Sequence, residues 1–205
     1  MSADENTTLE KILSSAKAEF LEKGFKSASL RNIVKEAGVT TGAFYGYFKS
    51  KEELFDALVD EQYRVFVGMY NDTQNEFAHL PPEKQMSGMG ELSGECLGRM
   101  MEYAYRHKDI FHLILSASEG TKYENMVHEM VEVEIKATHD FAAVIESLGH
   151  SKYEMDPTLE HILVSGMFSA FFEMIIHDVP YEKATVYLSE LREFYTAGWK
   201  KIMGF

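Results

Sequence analysis

An all-α fold is predicted by three observations. Apolar residues recur three and four positions apart through most of the 205-residue chain, only four prolines interrupt them, and no strand-like alternation lasts beyond a few residues. Hydrophobic residues at 45% and charged residues at 26% are ordinary values for a chain that buries a core, which excludes wholesale disorder. The pattern predicts about nine helices in two parts.

Thr7 or Thr8 is expected to cap a first helix with the apolar face Leu9, Ile12, Leu13, Ala16, Phe20 and Leu21, stopped by Gly24. Ser29 caps a second, barely two turns long, with Leu30, Ile33, Val34 and Ala37 on one side and Gly38 as its end. Thr40 opens a third, with Phe44 and Phe48 together on one face. Ser50-Lys51-Glu52-Glu53 has capping-box form and starts a fourth helix, which runs toward Phe77 before Pro81-Pro82 breaks the chain. The Gly- and Met-containing stretch from Met86 to Gly98 reads largely as a flexible connector, with helix resuming from Cys96 to Arg106. A short helix follows at Lys108 to Ser116, and a long one at Thr121 to Leu148, stopped by Gly149. Asp156-Pro157 starts the next, to about Ile176, and Pro180 opens the last, ending near Met203.

A net charge of −13 argues against a polyanionic partner only until it is placed along the chain. Residues 1–60 carry a net −2 and the remainder −11, and Lys23 to Lys51 holds six basic residues against Glu36 alone. A local patch, rather than the global sum, meets a phosphate backbone. Within that patch, two short helices joined through Gly38-Val39-Thr40, with a third packed on them, form a helix-turn-helix pattern. The arrangement needs a helix short enough for the major groove, a glycine for the tight turn, and apolar residues that fix the angle between helices. Gly38 supplies the turn, Val39 an apolar plug, and Ile33, Ala37, Phe44 and Phe48 the packing. Thr41, Tyr45 and Gly46 are left facing outward, flanked by Ala43 and Tyr47.

The run from Ser29 to Leu54 (SLRNIVKEAGVTTGAFYGYFKSKEEL), approached by Ala18 to Phe25 (AEFLEKGF), resembles the DNA-binding segment of TetR/AcrR-type transcriptional repressors over about residues 8–60. That resemblance implies an N-terminal helix-turn-helix DNA-binding domain over 1–52 and a helical ligand-sensing and dimerisation domain over 53–205. It also implies a palindromic double-stranded DNA operator, release by an unidentified small-molecule effector, a homodimer, and no cofactor. By the same resemblance, Ser29 and Thr40 donate to phosphates, and Arg31 reaches a base or a phosphate. Tyr45, Tyr47 and Lys51 touch the DNA backbone, while Thr41, Ala43 and Gly46 face the base edges. Two positions depart from the common pattern: position 41, often basic, is Thr, and position 46, often large and polar, is Gly. Direct base reading would rest on Thr41, Ala43 against a thymine methyl, and Arg31, which leaves more to DNA shape.

Small residues along the last two helices (about 157–176 and 181–203), namely Gly166, Ala170, Ala184 and Gly198, suit close helix approach, and these helices are the expected dimer interface. An aromatic and Met-rich set on the intervening helices suits a cavity for a flat or amphipathic molecule. The residues expected to touch a ligand are Met100, Tyr103, Phe111, Met126, Met130, Phe168, Phe172 and Glu173.

Other functions lack their chemistry. Glu76-Phe77-Ala78-His79 is a single Glu-x-x-His where a di-iron bundle needs two, the histidines have no zinc-ligand spacing, and Gly88-x-Gly90 misses the dinucleotide spacing. Neither an enzyme nor a metal site is expected. With Cys96 alone, no export signal at the start, and no run near eighteen apolar residues, a cytoplasmic chain away from membranes is expected. The competing reading is a helical protein-interaction or small-molecule-binding module that does not bind DNA.

Overall fold

The computed structural model describes residues 3–150 and 152–204, and every regular element among them is helical. In chain order these are α1 (Ala3–Ser27), α2 (Leu30–Glu36), α3 (Thr41–Tyr47), α4 (Lys51–Ala78), α5 (Pro82–Ser87), α6 (Glu91–Arg106), α7 (Lys108–Ser116), α8 (Met126–Ser147), α9 (Pro157–Ile176) and α10 (Tyr181–Met203). Contacts divide them into two compact units: the chain up to Arg64 with His107–Glu124, and Val65–Arg106 with the chain from Asn125 onward. This division differs from the 52/53 boundary drawn on the sequence, because the start of α4 and the distant α7 both pack with α1–α3.

In the first unit, Ile12, Ala16 and Phe20 of α1 are completely buried and Leu21 is not, so the helix buries a narrower stripe than its apolar residues suggest. α1 begins at Ala3, ahead of the expected Thr7/Thr8 cap, and breaks at Gly24, whose φ of 72° is open to a residue without Cβ. The turn brings Phe25 against Phe20 and Phe55, with ring centroids 5.8 and 5.3 Å away. Phe25 also donates its backbone N–H to Ala117 O at 2.7 Å, which ties the segment after α7 to α1. Tyr123, 1% exposed, gives its hydroxyl to Asp60 at 2.9 Å. Nothing local in the sequence marks α7 as part of this unit; the burial of Phe111, Leu113, Ile114 and Ala117 is what places it there.

In the second unit, α8 packs along α9, and α10 packs on α6 and α9. The expected flexible connector is corrected here. The Met86 to Gly98 stretch is structured: α5 follows the prolines, and α6 starts at Glu91, five residues early. Its glycines are there for close approach, since a Cβ on Gly90 would fall 2.7 Å from Thr196 Oγ1 and one on Gly94 2.3 Å from Arg192 Cδ. α9 holds no run of eighteen apolar residues, yet an eighteen-residue window within it reaches a mean hydropathy of 1.5, enough by length and composition to cross a membrane. Here α9 serves as a core helix, with Val164, Phe168, Phe171, Phe172 and Ile175 buried. The long helix expected from Thr121 starts at Met126, while Asp156 caps α9 as expected, accepting from Thr158 N at 2.9 Å.

Glu19, only 8% exposed, fastens α1 to the start of α2. Its Oε1 accepts from the Ser29 N–H at 2.9 Å and the Lys23 ammonium at 3.0 Å. The Ser29 N–H above all, then Lys23, hold the carboxyl below the ordinary carboxylate range despite its burial. A depressed pKa stabilises the folded state above the unfolded-state pKa, and the contribution disappears as pH falls through the folded one. Glu19→Gln is therefore expected to cost about 1 kcal/mol near neutrality. The melting curves of mutant and wild type should converge as the pH falls below the carboxylate range.

Candidate nucleic-acid interface and cavity

α2 and α3 are short because caps and glycine fix both ends. Ser29 Oγ accepts from Asn32 N–H at 3.4 Å, and Thr40 Oγ1 from Ala43 N–H at 3.1 Å. Gly38, at φ 65°, makes the turn between them. Phe44 and Phe48 are buried with their rings 5.8 Å apart, so α3 has one face fixed in the core and the other presented to solvent. Tyr45 is 54% exposed on that outer face. Thr41 and Gly46 are exposed beside it, and Ala43 and Tyr47 are half-buried at its edges. Thr40 and Arg31 are exposed and Ser29 half-buried. The hydroxyls of Ser29 and Thr40 act as acceptors within their caps, which leaves each O–H free to donate outward. Neither α2 nor α3 has an acidic residue in its first turn, and Arg31 has no ion pair among the described residues.

Lys51 is placed differently from its expected contact with the DNA backbone. Its ammonium turns inward and donates to the carbonyls of Phe25 at 2.6 Å, Ala28 at 3.1 Å and Lys26 at 3.4 Å, above the Phe25 ring. The break at Gly24 strands those carbonyls, and three N–H directions answer three acceptors. Lys51 thereby joins the end of α1 to the start of α4 on either side of α2 and α3. Ser50 Oγ accepts from Glu53 N–H at 3.1 Å, while the Glu53 carboxylate reaches back to Lys49 N–H at 2.6 Å. The capping box thus closes one residue earlier than its usual form.

The second unit holds a cavity of about 980 Å³, its open mouth included. Its wall is mostly apolar, from Phe77 on α4, Leu97 on α6, Phe141 on α8, Phe168 and Phe171 on α9, and Leu188, Leu191 and Trp199 on α10. Of the eight expected ligand positions, Phe168 alone lines it. Met100, Met126, Met130 and Phe172 are buried in the packing behind the wall, Phe111 lies in the first unit, and Tyr103 is half-buried off the cavity. Glu173 faces outward and pairs with His177 at 2.7 Å. Composition pointed to α6, α8 and α9, which do contribute to the wall, but also to α7, which does not, and it missed α4 and α10; helical phase then decides which side of each faces the void, and on α10 Leu188, Leu191 and Tyr195 face it while Tyr187 and Phe194 are exposed.

Among the polar residues on the wall, the sequence reading named neither the amide Gln74 nor the charged Glu134 and Arg192. Glu134 is half-buried and lines the void. Its Oε2 accepts from Gln74 Nε2 at 2.5 Å and from the Tyr70 hydroxyl, and burial pushes its pKa up against the lowering effect of those bonds. The histidines and carboxylates of α8 and α9 pair elsewhere: His139 with buried Glu160 at 2.8 Å, and His161 with Glu132 at 3.8 Å. Among the described residues no group of three or more His, Cys, Asp and Glu could hold a metal.

Residues 12–58 match the family described as bacterial regulatory proteins, tetR family. The chain is 27% identical over 128 residues to the uncharacterised HTH-type transcriptional regulator YerO of Bacillus subtilis, covering 62% of this chain and 39% of YerO. It is 29% identical over 92 residues to the HTH-type transcriptional repressor KstR2 of Mycobacterium tuberculosis, covering 45% of each. The chain thus aligns with less than half the length of these curated relatives. Among solved structures it is similar in fold to NalD, the secondary repressor of the MexAB-OprM multidrug efflux pump in Pseudomonas aeruginosa, with a TM-score of 0.57 and 21% identity, over 96% of this chain and 98% of NalD.

A carboxyl whose pKa is raised on folding stabilises the fold while it is protonated, and that contribution is lost as pH rises through the raised value. Glu134→Gln keeps the shape and removes the charge. It is expected to raise Tm at pH 8 by a few degrees, at roughly 2–4 °C per kcal/mol for a chain of this size, and to leave Tm in mild acid almost unchanged.

Proposed function

We propose that this chain is a DNA-binding transcriptional repressor released from a palindromic operator by a small molecule, a reading supported by the match of residues 12–58 to the tetR family of bacterial regulatory proteins. The observation that carries the reading is the two-sidedness of α3: Phe44 and Phe48 in the core, Thr41, Tyr45 and Gly46 outside. A helix anchored on one side and free on the other is what a major groove admits. Ser29, Thr40 and Tyr47 would meet phosphates, Tyr45 the backbone at the groove edge, and Arg31 a base or phosphate. Thr41, Ala43 and Gly46 would face the bases. Residues 1–52 would do the reading and 53–205 the sensing and pairing. The site of action would be the cytoplasm, and no catalytic step is involved.

The reading makes the cavity the effector site. Gln74 and Phe77 on its wall belong to α4, the helix that also carries Leu54 and Phe55 into the core of the first unit, so a ligand displacing them acts on a helix the reading unit shares. A full switch needs about 5.5 kcal/mol of differential affinity. Pairing would use α9 and α10. Leu159 (47% exposed) and Ile162 (58%) on α9, and Val186 (53%), Tyr187 (45%) and Phe194 (72%) on α10, leave apolar surface that a second copy would cover. Two copies place their reading helices about 34–36 Å apart or a multiple of it, one turn of DNA.

Selection of genomic fragments by the purified protein, followed by mobility shifts, tests this. Affinity for the selected site should fall at least about 10³-fold between 50 and 200 mM salt if six or more phosphates are neutralised. Thr41→Ala should change the preference at one base pair by about 1–3 kcal/mol, whereas Arg31→Ala should weaken every sequence if it binds phosphate. Binding indifferent to salt and to both substitutions would favour a module that does not read DNA. Separately, Ile162→Glu with Phe194→Glu should give monomers by sedimentation and lose more than tenfold in affinity for a palindrome, with the helical content intact.

A further inference from the structure

We infer that the cavity of the second unit selects an amine: a molecule with an apolar body and one protonated nitrogen, the nitrogen binding Oε1 of Glu134. This deepens the reading of the cavity as the effector site and rests on it. Glu134 is the one acidic side chain on a wall made mainly of aromatic and aliphatic groups. Both protein donors near it, Gln74 Nε2 and the Tyr70 hydroxyl, bond Oε2. No hydrogen bond from another described residue reaches Oε1, and no Lys, Arg or His among the described residues forms an ion pair with it. A carboxylate removed from water without a cation costs several kcal/mol, and a ligand that brings the cation removes that cost on binding.

The groups around Glu134 support the choice of charge. α4 presents Tyr70 and Gln74, α6 the buried thiol of Cys96, and α9 only Met167, Phe168 and Phe171. α10 brings Tyr195 and Arg192, and Arg192 is the sole cation on the wall. It is exposed and lies against Gly94 of α6, its guanidinium nitrogen 2.6 Å from where a Cβ would stand, and it forms no ion pair with Glu134. The faces of Phe77, Phe141 and Phe168 carry partial negative charge and attract an ammonium further. Burial has already raised the Glu134 pKa, so pairing with an ammonium should expel the proton from whatever fraction is protonated, and binding should strengthen as pH rises.

Three probes of one shape test this: dodecylamine, 1-dodecanol and dodecanoate, each below its micelle concentration and titrated into the full chain. Trp199, the only tryptophan of the sequence, lines the cavity and reports occupancy by its fluorescence. At pH 7.5 dodecylamine should bind at least tenfold more tightly than the alcohol, and dodecanoate more weakly than either. The advantage of the amine should shrink as pH falls through the titration of Glu134, while the alcohol stays flat. Glu134→Gln should bring amine and alcohol within twofold of each other and leave the alcohol unchanged. Dodecanoate matching or exceeding the amine in the wild type would overturn the inference and assign recognition to Arg192, and it needs no mutant. An amine preference that survives Glu134→Gln overturns it equally. If all three bind alike, only the choice of an amine falls; if none alters Trp199 emission, the cavity as effector site falls with it.

Discussion

The geometry of the reading unit depends on how the carbonyls at the end of α1 are satisfied. Gly24 turns the chain out of helix, and the carbonyls of Phe25, Lys26 and Ala28 have no helical N–H ahead of them. An ammonium from the first turn of α4 supplies the donors. One side chain thereby joins the two helices that bracket α2 and α3, and Phe25 beneath it closes the aromatic cluster with Phe20 and Phe55. Without that closure α3 would have its apolar side but no fixed tilt. The cost is that the Lys51 ammonium is engaged by backbone carbonyls, so on the proposed reading phosphate contact would fall to exposed Arg31, Lys35 and Lys49 and to the hydroxyls and N–H groups at helix starts.

The helix-turn-helix was legible because its signals are local. Ser29, Gly38, Thr40 and Ser50 act within three or four residues, and the structure puts caps and turn where these residues stand. α7 and α9 were legible for the same reason, with Asp156-Pro157 fixing the start of α9. What escaped depends on partners distant in sequence. Gly90 and Gly94 looked like a flexible joint because nothing nearby says that Thr196 and Arg192 of α10 will lie across them. Lys51 looked like a phosphate contact because its acceptors are 23 to 26 residues away.

The cavity was the least legible part, for a reason of symmetry. Along α9 apolar residues fall on every side of the helix, so periodicity offers no phase, and Phe168 at the wall cannot be told from Phe172, which does not line it. The polar groups held the missing information, since an acid in the middle of an apolar helix surface is costly unless something meets it. His139 and Glu132 on α8 find partners on α9, in Glu160 and His161. Glu134, between them in sequence, is the one turned to the void.

On the proposed reading, that contrast bears on how a ligand would act on α4. A cavity with a purely apolar wall gains affinity by filling, which favours whichever state has the better-shaped void and discriminates weakly among ligands. On the proposed reading, a wall with one acid would gain it by neutralisation, and the gain would belong to the state in which Tyr70 and Gln74 of α4 hold the carboxyl on one oxygen and leave the other open. Any movement of α4 that breaks those bonds changes both the acidity of Glu134 and the position of Phe77 beside it. Ligand preference and helix position are then linked through the same two hydrogen bonds. An effector acts on such a protein through its differential affinity for two states, and these bonds are where that difference can arise.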